Sequence, residues 1–431
     1  MIQLRRLVTI GSLFVMGGAA IPTQAATLDG KQVPLNQLSA ESCKDCHKAI
    51  YKQWKGSMHA NSTALKDPIH GALYRKLIGD PSQPGQTDKK GNFPVCLNCH
   101  APNAARDTST KLDAMPAYNE GVSCVSCHSF VHNKGAGFVD GKPVLGLKAY
   151  EVSDQLQGPM GFVHEQGAAA DALRKALDDE GELNPHLGRD NQGRAYLPAK
   201  EVAELDLPLQ GNTSLQTSNA CLGCHDKMQN VHGVPLCATG DEYDKSATQE
   251  SCQSCHMASV KGVADHSMGG GHSVGVLKRA VKLDLQVEPE AGQLAVKVQL
   301  HNKSAHNVPT GAPFRNMYLK LSAFDVNGKL LWQNFQKHPM KEDPQAFFVY
   351  ALADKEGKPA MPPMATQVVK NTRLQPYERR ALEYRITADN VKSVRAELYF
   401  NLLSPGMVKK MKALPDALKA PKRIGWSEVQ L

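Results

Sequence analysis

Past residue 25 the chain has no apolar run long enough to cross a bilayer, which takes about 20 residues of helix, so no part of the mature protein reads as a membrane span. It has no concentrated block of lysine and arginine, which argues against nucleic acid and membrane surfaces as partners. A nucleotide-binding glycine loop and a hydrolase triad are missing. No cysteine stands near residue 25, the first being Cys43, which argues against a lipoprotein anchor. A conventional core is also lacking from about Leu38 to His272, where glycine and proline break the sequence into short segments.

A repeated motif fills that region. Cys-x-x-Cys-His occurs five times, as Cys43/Cys46/His47, Cys96/Cys99/His100, Cys124/Cys127/His128, Cys221/Cys224/His225 and Cys252/Cys255/His256, leaving only Cys237 of the 11 cysteines unused. Two thiols three positions apart on a helical turn reach the two vinyl groups of one porphyrin, and the following imidazole is placed under the iron as proximal ligand. The pattern implies five covalently bound haem c groups. A disulfide framework has no reason to put histidine after every second cysteine. Zinc knuckles need two such pairs per metal in a consistent register, which the irregular gaps do not give, and thioredoxin-like pairs need strand-helix context. At roughly one haem per fifty residues, the porphyrins supply much of the buried apolar surface, with short helices and long loops wrapped round them.

Arg5 and Arg6 precede an apolar run from Leu7 to Ile21, and Thr23-Gln24-Ala25 offers a small-residue cleavage site. Residues 1–25 therefore read as a secretory signal peptide, with the mature chain beginning near Ala26 in a bacterial periplasm. The formal net charge of +8 falls by the two charges of Arg5 and Arg6. Each haem adds about −1 when ferric or about −2 when ferrous, which leaves the holoprotein near neutral.

The expected fold is α+β. Residues 26–273 form a pentahaem domain; within it an insertion between Val131 and Gln210 carries no haem motif, though Ala168 to Leu177 reads as a helix. Residues 274–404 change to alternation. Val281, Leu283, Leu285 and Val287 alternate with polar residues, as do Leu294, Val296, Val298 and Leu300, and Leu319, Leu321 and Ala323 alternate with Tyr318, Lys320 and Ser322. Asn327-Gly328 supplies a hairpin turn before Leu330-Leu331-Trp332, and Arg395 to Leu403 looks like a late strand. These point to an antiparallel β-sandwich. Residues 405–431 read as a Lys-rich tail.

Distal ligands decide what the haems do. An iron with histidine on both faces passes electrons, whereas an open sixth position binds substrate. Eight spare histidines lie in the haem region: His59, His70, His132, His164, His186, His232, His266 and His272. His132 lies four residues after His128, on the same face if the helix continues, so as a ligand it would serve a neighbouring haem. His232, after His225, invites the same argument. His70, following Pro68, is a ligand or an exposed helix-start residue. His272, beside Gly269-Gly270-Gly271, competes with His266. His164 and His186 sit in the insertion and read as surface residues; His301 and His338 default to strand-end or surface roles. Cys237 reads as a buried inert thiol, and Met257 points away from its own haem's distal side. Tyr118, Tyr243 and Arg106 could line a catalytic pocket but read as ordinary polar residues. No histidine follows His100 until His128, so the second haem is the first suspect for an open iron.

Trp54 with Ser57-Met58-His59, Glu120-Gly121-Val122-Ser123 leading into the third motif, and Cys255-His256-Met257 at the fifth resemble the multihaem cytochromes c related to the tetrahaem cytochrome that accepts electrons from hydroxylamine oxidoreductase. The resemblance makes His59 a distal ligand. His306-Asn307-Val308-Pro309-Thr310-Gly311, followed by Pro313-Phe314-Arg315, resembles a Gly-His-x-x-Pro-Thr-Gly signature in the β domain of larger relatives, with Ala305 in place of the first glycine. It implies that His306 either ligates a haem at the domain junction or braces its loop; the plain alternative is a loop histidine ordered by its own backbone.

That superfamily includes carriers and reductases, so the resemblance fixes cofactors better than activity. The expected function is a periplasmic electron carrier in anaerobic respiration, between a quinol-linked or other soluble cytochrome and a terminal reductase or outer-membrane conduit. The sandwich would dock a partner or rigidify the haem stack. The rival is a haem-dependent oxidoreductase in which one open haem acts on a small nitrogen or sulfur compound. A third reading is a subunit of an extracellular haem filament, with ligands donated between subunits.

Overall fold

The computed structural model describes residues 26–159, 186, 205–207, 209–260, 263–387 and 389–431. The expected signal peptide, His164 and the expected helix at Ala168–Leu177 lie outside the described residues. No helix among the described residues is long and apolar enough to cross a membrane. The fold is α+β, with short helices around the five motifs followed by antiparallel sheets.

From the second motif onward each motif sits on a helix of one or two turns, two of them capped by side chains. Ser123 and Ser126 form a reciprocal capping box on Cys124–Cys127, and Ser251 caps Cys252–His256. Between motifs, Lys48–Lys55 buries Tyr51 and Trp54, one helical turn apart. Pro68–Leu77 starts on Asp67, whose carboxylate accepts the Ile69 amide at 2.8 Å, with Pro68 in the first turn where its missing N–H costs nothing. Small apolar clusters sit under these pieces, one around Leu97, Ala101, Leu112 and Tyr118, another around Tyr51, Trp54 and Ala60.

The large core belongs to the C-terminal half. Strands Val281–Glu290, Gln293–Asn302 and Arg379–Ile386 form one sheet. Asn316–Phe324, Leu330–Gln333, Phe347–Ala353, Gln367–Asn371, Ser393–Asn401 and Lys422–Gln430 form the other. Val296, Val298 and Leu300 from the first sheet meet Met317, Leu319, Leu321, Val394, Ala396 and Leu398 from the second in one cluster, so the alternating residues do face a shared interior. The hairpin at Asn327-Gly328 forms with Gly328 at φ 75°, and Phe324 pairs with Leu330 across it.

The segment after Pro405 is not a tail. It forms two short helices and then Lys422–Gln430, which pairs along Ser393–Asn401. Within that strand Ile424 is buried but Trp426 is exposed, and Ser427, Glu428 and Val429 are all half-buried. The residues alternate too weakly to announce a strand, and the lysines before it hide it further.

The two halves interlock. Val234 and Leu236 of the haem region pack with Tyr350, Leu352 and Ala365 of the sandwich, and Asn230 donates to the carbonyls of Pro362 at 2.9 Å and Ala365 at 2.7 Å. Ile69, on the Pro68–Leu77 helix, joins the sandwich core itself.

Candidate haem centres

All 11 cysteines are free of disulfides. Thiols of different motifs come within hydrogen-bonding reach of each other: Cys43 with Cys124, Cys221 with Cys252, and Cys224 with Cys99. The first motif thus abuts the third, and the fourth abuts both the fifth and the second.

Cys46 corrects the expectation that both thiols of a motif share one helical turn. The 3-10 helix Ala40–Cys43 ends on the first thiol, and Lys44 to Cys46 form a turn before His47 opens the helix Lys48–Lys55. Cys46 is exposed there, because the charged pair Lys44-Asp45 keeps the turn in solvent and Lys44 meets Glu41 at 3.3 Å. The motif's ends are still held together, since the His47 amide donates to the Cys43 carbonyl at 2.9 Å. Cys255 is exposed as well, on a helix that buries none of its own residues, whereas the remaining motif thiols are half-buried.

Three of the five motif histidines face a second histidine at nearly one separation. Ring centres lie 6.0 Å apart for His47 and His186, 6.2 Å for His225 and His59, and 6.3 Å for His256 and His306. Two metal–imidazole bonds of about 2 Å set the ligating nitrogens about 4 Å apart, and ring centres roughly 1 Å behind them stand about 6 Å apart. The pairs have the spacing that one iron between two imidazoles requires. His128 has no ring at that spacing among the described residues, but His266 is the histidine whose charge acts most strongly on it.

Hydrogen bonds turn these rings the right way. Nδ1 donates to a backbone carbonyl in His128 (Gln157, 2.8 Å), His256 (Gly269, 2.7 Å), His186 (Leu207, 2.9 Å), His266 (Ala264, 2.8 Å) and His306 (Asn307, 2.9 Å). Fixing the proton on Nδ1 leaves the Nε2 lone pair for a metal. His59 differs, with Nδ1 3.0 Å from the Met268 sulfur. Burial, with the neighbouring histidines second, holds the His59 imidazole down at about 4 and that of His225 at about 3, so both are neutral donors. The donor set fits haem.

The first two stretches that carried the family resemblance meet in one knot around His59. The Trp54 indole donates to the Val122 carbonyl at 2.8 Å, and the Val122 amide donates to the His59 carbonyl at 2.9 Å. Gly121 makes this approach possible: it takes φ 69°, and a β-carbon there would lie 2.2 Å from the His59 carbonyl oxygen. Glu120 ties the knot to the chain's start by accepting from Ser39 Oγ at 2.5 Å and the Ala40 amide at 2.8 Å.

The second motif is different. His70 is buried and its ring centre is only 4.0 Å from that of His100, too close for an iron between them. Both Nδ1 atoms meet the same Ser62 carbonyl, at 2.8 Å and 3.1 Å, so the rings stand side by side. His70 Nε2 is buried without a hydrogen-bond partner, and burial, with His100 second, pushes this imidazole down to about 3.

The remaining candidates take varied places in the fold. His132 is not on a continued helix: the chain leaves the helix at His128 and forms the strand Phe130–Asn133, where His132 is exposed, 3.4 Å from Glu151. His232 is exposed at a turn that Gly233 closes with φ 74° and Asn230 organises. His272 is half-buried beside Arg315. His186, read as a surface residue of the insertion, is half-buried against His47 instead. No motif around it in the sequence could have found it. Tyr118 donates to Asp107, Tyr243 to the Glu250 carbonyl and Arg106 pairs with Asp154, which leaves these three bracing loops. Burial pushes the Cys237 thiol up, keeping it protonated and inert. One acidic group was not foreseen: Asp226, Asp241 and Asp244 bring carboxylate oxygens within 4.8 Å of one another, and burial raises Asp226.

A sequence profile described as cytochrome c554 and c-prime matches residues 42–129. No curated protein matches. Among solved structures, the penta-heme cytochrome c552 from Thermochromatium tepidum is similar at 50% identity and a TM-score of 0.84, covering 93% of this chain and 100% of its own. The repeated haem motifs, the paired imidazoles and that likeness over nearly the whole chain agree, and the chain belongs to the penta-haem cytochromes c, multihaem electron-transfer proteins with five covalently bound haem c.

Proposed function

We propose that each Cys-x-x-Cys-His motif attaches one haem, with His47, His100, His128, His225 and His256 as proximal ligands. The exposed thiols Cys46 and Cys255 would then attach the first and fifth haems along edges that face solvent. His186, His266, His59 and His306 close the first, third, fourth and fifth irons from the opposite face. The observation that carries this is the near-constant spacing of 6.0 Å, 6.2 Å and 6.3 Å in three imidazole pairs drawn from distant parts of the chain. Bound haem supplies the one-electron chemistry. The protein's residues saturate the irons, exclude substrate from them and set the motifs edge to edge. This supports an electron carrier between redox proteins in a bacterial periplasm, where a quinol-linked or soluble cytochrome would donate and a terminal reductase would accept.

The side-by-side stance of His70 and His100 favours a second reading for one centre. With no imidazole opposite His100 among the described pairs, the second haem offers an open position, which suits an oxidoreductase acting on a small nitrogen or sulfur compound. The test is low-temperature electron paramagnetic resonance of the ferric protein, with haem quantified, before and after nitrite, hydroxylamine or cyanide. Five low-spin signals unmoved by ligand support the carrier alone. One high-spin signal that shifts supports the open second haem, and more than one high-spin haem sinks the proposed ligand set.

A further inference from the structure

The loop that carries His306 is held by a buried ion pair across the domain junction. Glu242, on the helix Thr239–Asp244 of the haem region, meets Arg373 of the sandwich at 2.6 Å, with side chains only 8% and 10% exposed. The other Glu242 oxygen accepts from Thr310 Oγ1 at 2.5 Å and from the Asn307 amide at 3.2 Å, and Thr239 Oγ1 lies 2.9 Å from Thr310 Oγ1. Asn307 and Thr310, the residues so gripped, lie one and four residues after His306 in the same loop. Arg373 is itself fixed, lying over the Tyr350 ring at 4.4 Å and donating to Asn371 at 3.0 Å. From the sandwich side, Asn302 donates to the His306 carbonyl at 2.8 Å, and Val308 and Leu374 exchange two backbone hydrogen bonds at 2.9 Å and 3.0 Å.

Water would solvate a carboxylate and a guanidinium far better than this interior does, so the pair persists because both Glu242 oxygens are matched from the sandwich and Arg373 is held by Glu242, Asn371 and the Tyr350 ring. Its geometry therefore transmits the docking of the sandwich to one short loop, at whose head His306 faces His256. We propose that Glu242 and Arg373 are positioning residues for the fifth haem: they hold His306 at its iron, so the sandwich acts as a ligand-donating arm and loosening the junction opens that iron to external ligands. This rests on the reading of His306 as a distal ligand.

The experiment uses the full-length holoprotein with Glu242→Gln, Arg373→Lys and the milder Thr310→Val, beside His306→Ala. The readouts are the count of high-spin haems by paramagnetic resonance, cyanide binding, and potentiometric titration. His306→Ala is expected to convert one of the five haems to a high-spin, cyanide-binding form with a shifted potential. Glu242→Gln and Arg373→Lys should convert part of that same haem population, and Thr310→Val should raise its cyanide affinity while leaving the other four unmoved. A purely structural ion pair would change stability without selecting one haem. If His306→Ala converts one haem and the other three variants convert none and add no cyanide binding, the latch is wrong and the ligand assignment stands. If His306→Ala itself changes no haem, both are overturned.

Discussion

The Tyr150 hydroxyl accepts the amide hydrogen of Gly223 at 2.9 Å and donates to the Ala220 carbonyl at 2.8 Å, so one phenol is stitched to both flanks of Cys221 in the fourth motif. Phe130 stacks on the same ring at 3.8 Å. Gly223 lies inside the motif, at a position free to vary in Cys-x-x-Cys-His, yet a β-carbon there would fall 2.2 Å from the Tyr150 ring.

Gly223→Ala should therefore destabilise the protein by about 1–3 kcal/mol through overpacking. Tyr150→Phe should cost about 1–3 kcal/mol by leaving the buried partners unmatched. Denaturant midpoints with haem absorbance as the probe check both, and an unchanged midpoint for Gly223→Ala would contradict the packing described.

His186→Ala is expected to turn the first haem, and that haem alone, from low-spin to high-spin. The test is the resonance spectrum of the ferric protein together with haem content, since five haems must still be attached. A fully low-spin variant would remove His186 from the ligand set.

Substituting His132 or His232 by alanine should leave all five haem signals in place and shift stability by less than about 0.5 kcal/mol, as exposed side chains do. Either variant gaining a high-spin haem would restore the expectation drawn from the sequence.

Acid titration separates buried from ordinary imidazoles. Burial holds His59 at about 4 against an ordinary 6.5, so between these values the unfolded chain binds a proton that the folded protein refuses. The stability that depends on a neutral His59 is fully present above pH 6.5 and is lost as the pH falls toward 4. Iron on the imidazole acts in the same direction. The low-spin absorbance should hold from pH 7 to about 5, while the denaturant midpoint drops over that window. Loss of low-spin character with a midpoint near pH 6.5 would mean an exposed ligand.

The five motifs were legible because thioether attachment demands a fixed local spacing, and the sandwich strands because half-buried strands alternate. The spacing does not dictate the backbone between the thiols, which is why Cys46 could lie on an exposed turn where a helix was expected. Long-range partnerships were not legible. His59 and His306 came from family resemblance, while His186 and His266 carry no local mark of a partner. His132 misled because its spacing from His128 assumed a longer helix, whereas the helix ends at Cys127 and the chain enters the strand Phe130–Asn133. The closing strand was obscured by lysines that face solvent and say nothing about the sheet beneath.

That closing strand also fixes an order in time. Lys422–Gln430 completes the second sheet and packs against Val281–Glu290 of the first. Synthesis runs from the amino end, so every Cys-x-x-Cys-His motif leaves the ribosome before the strand that shuts the sandwich. All ten motif cysteines are thus made before the neighbouring domain can close.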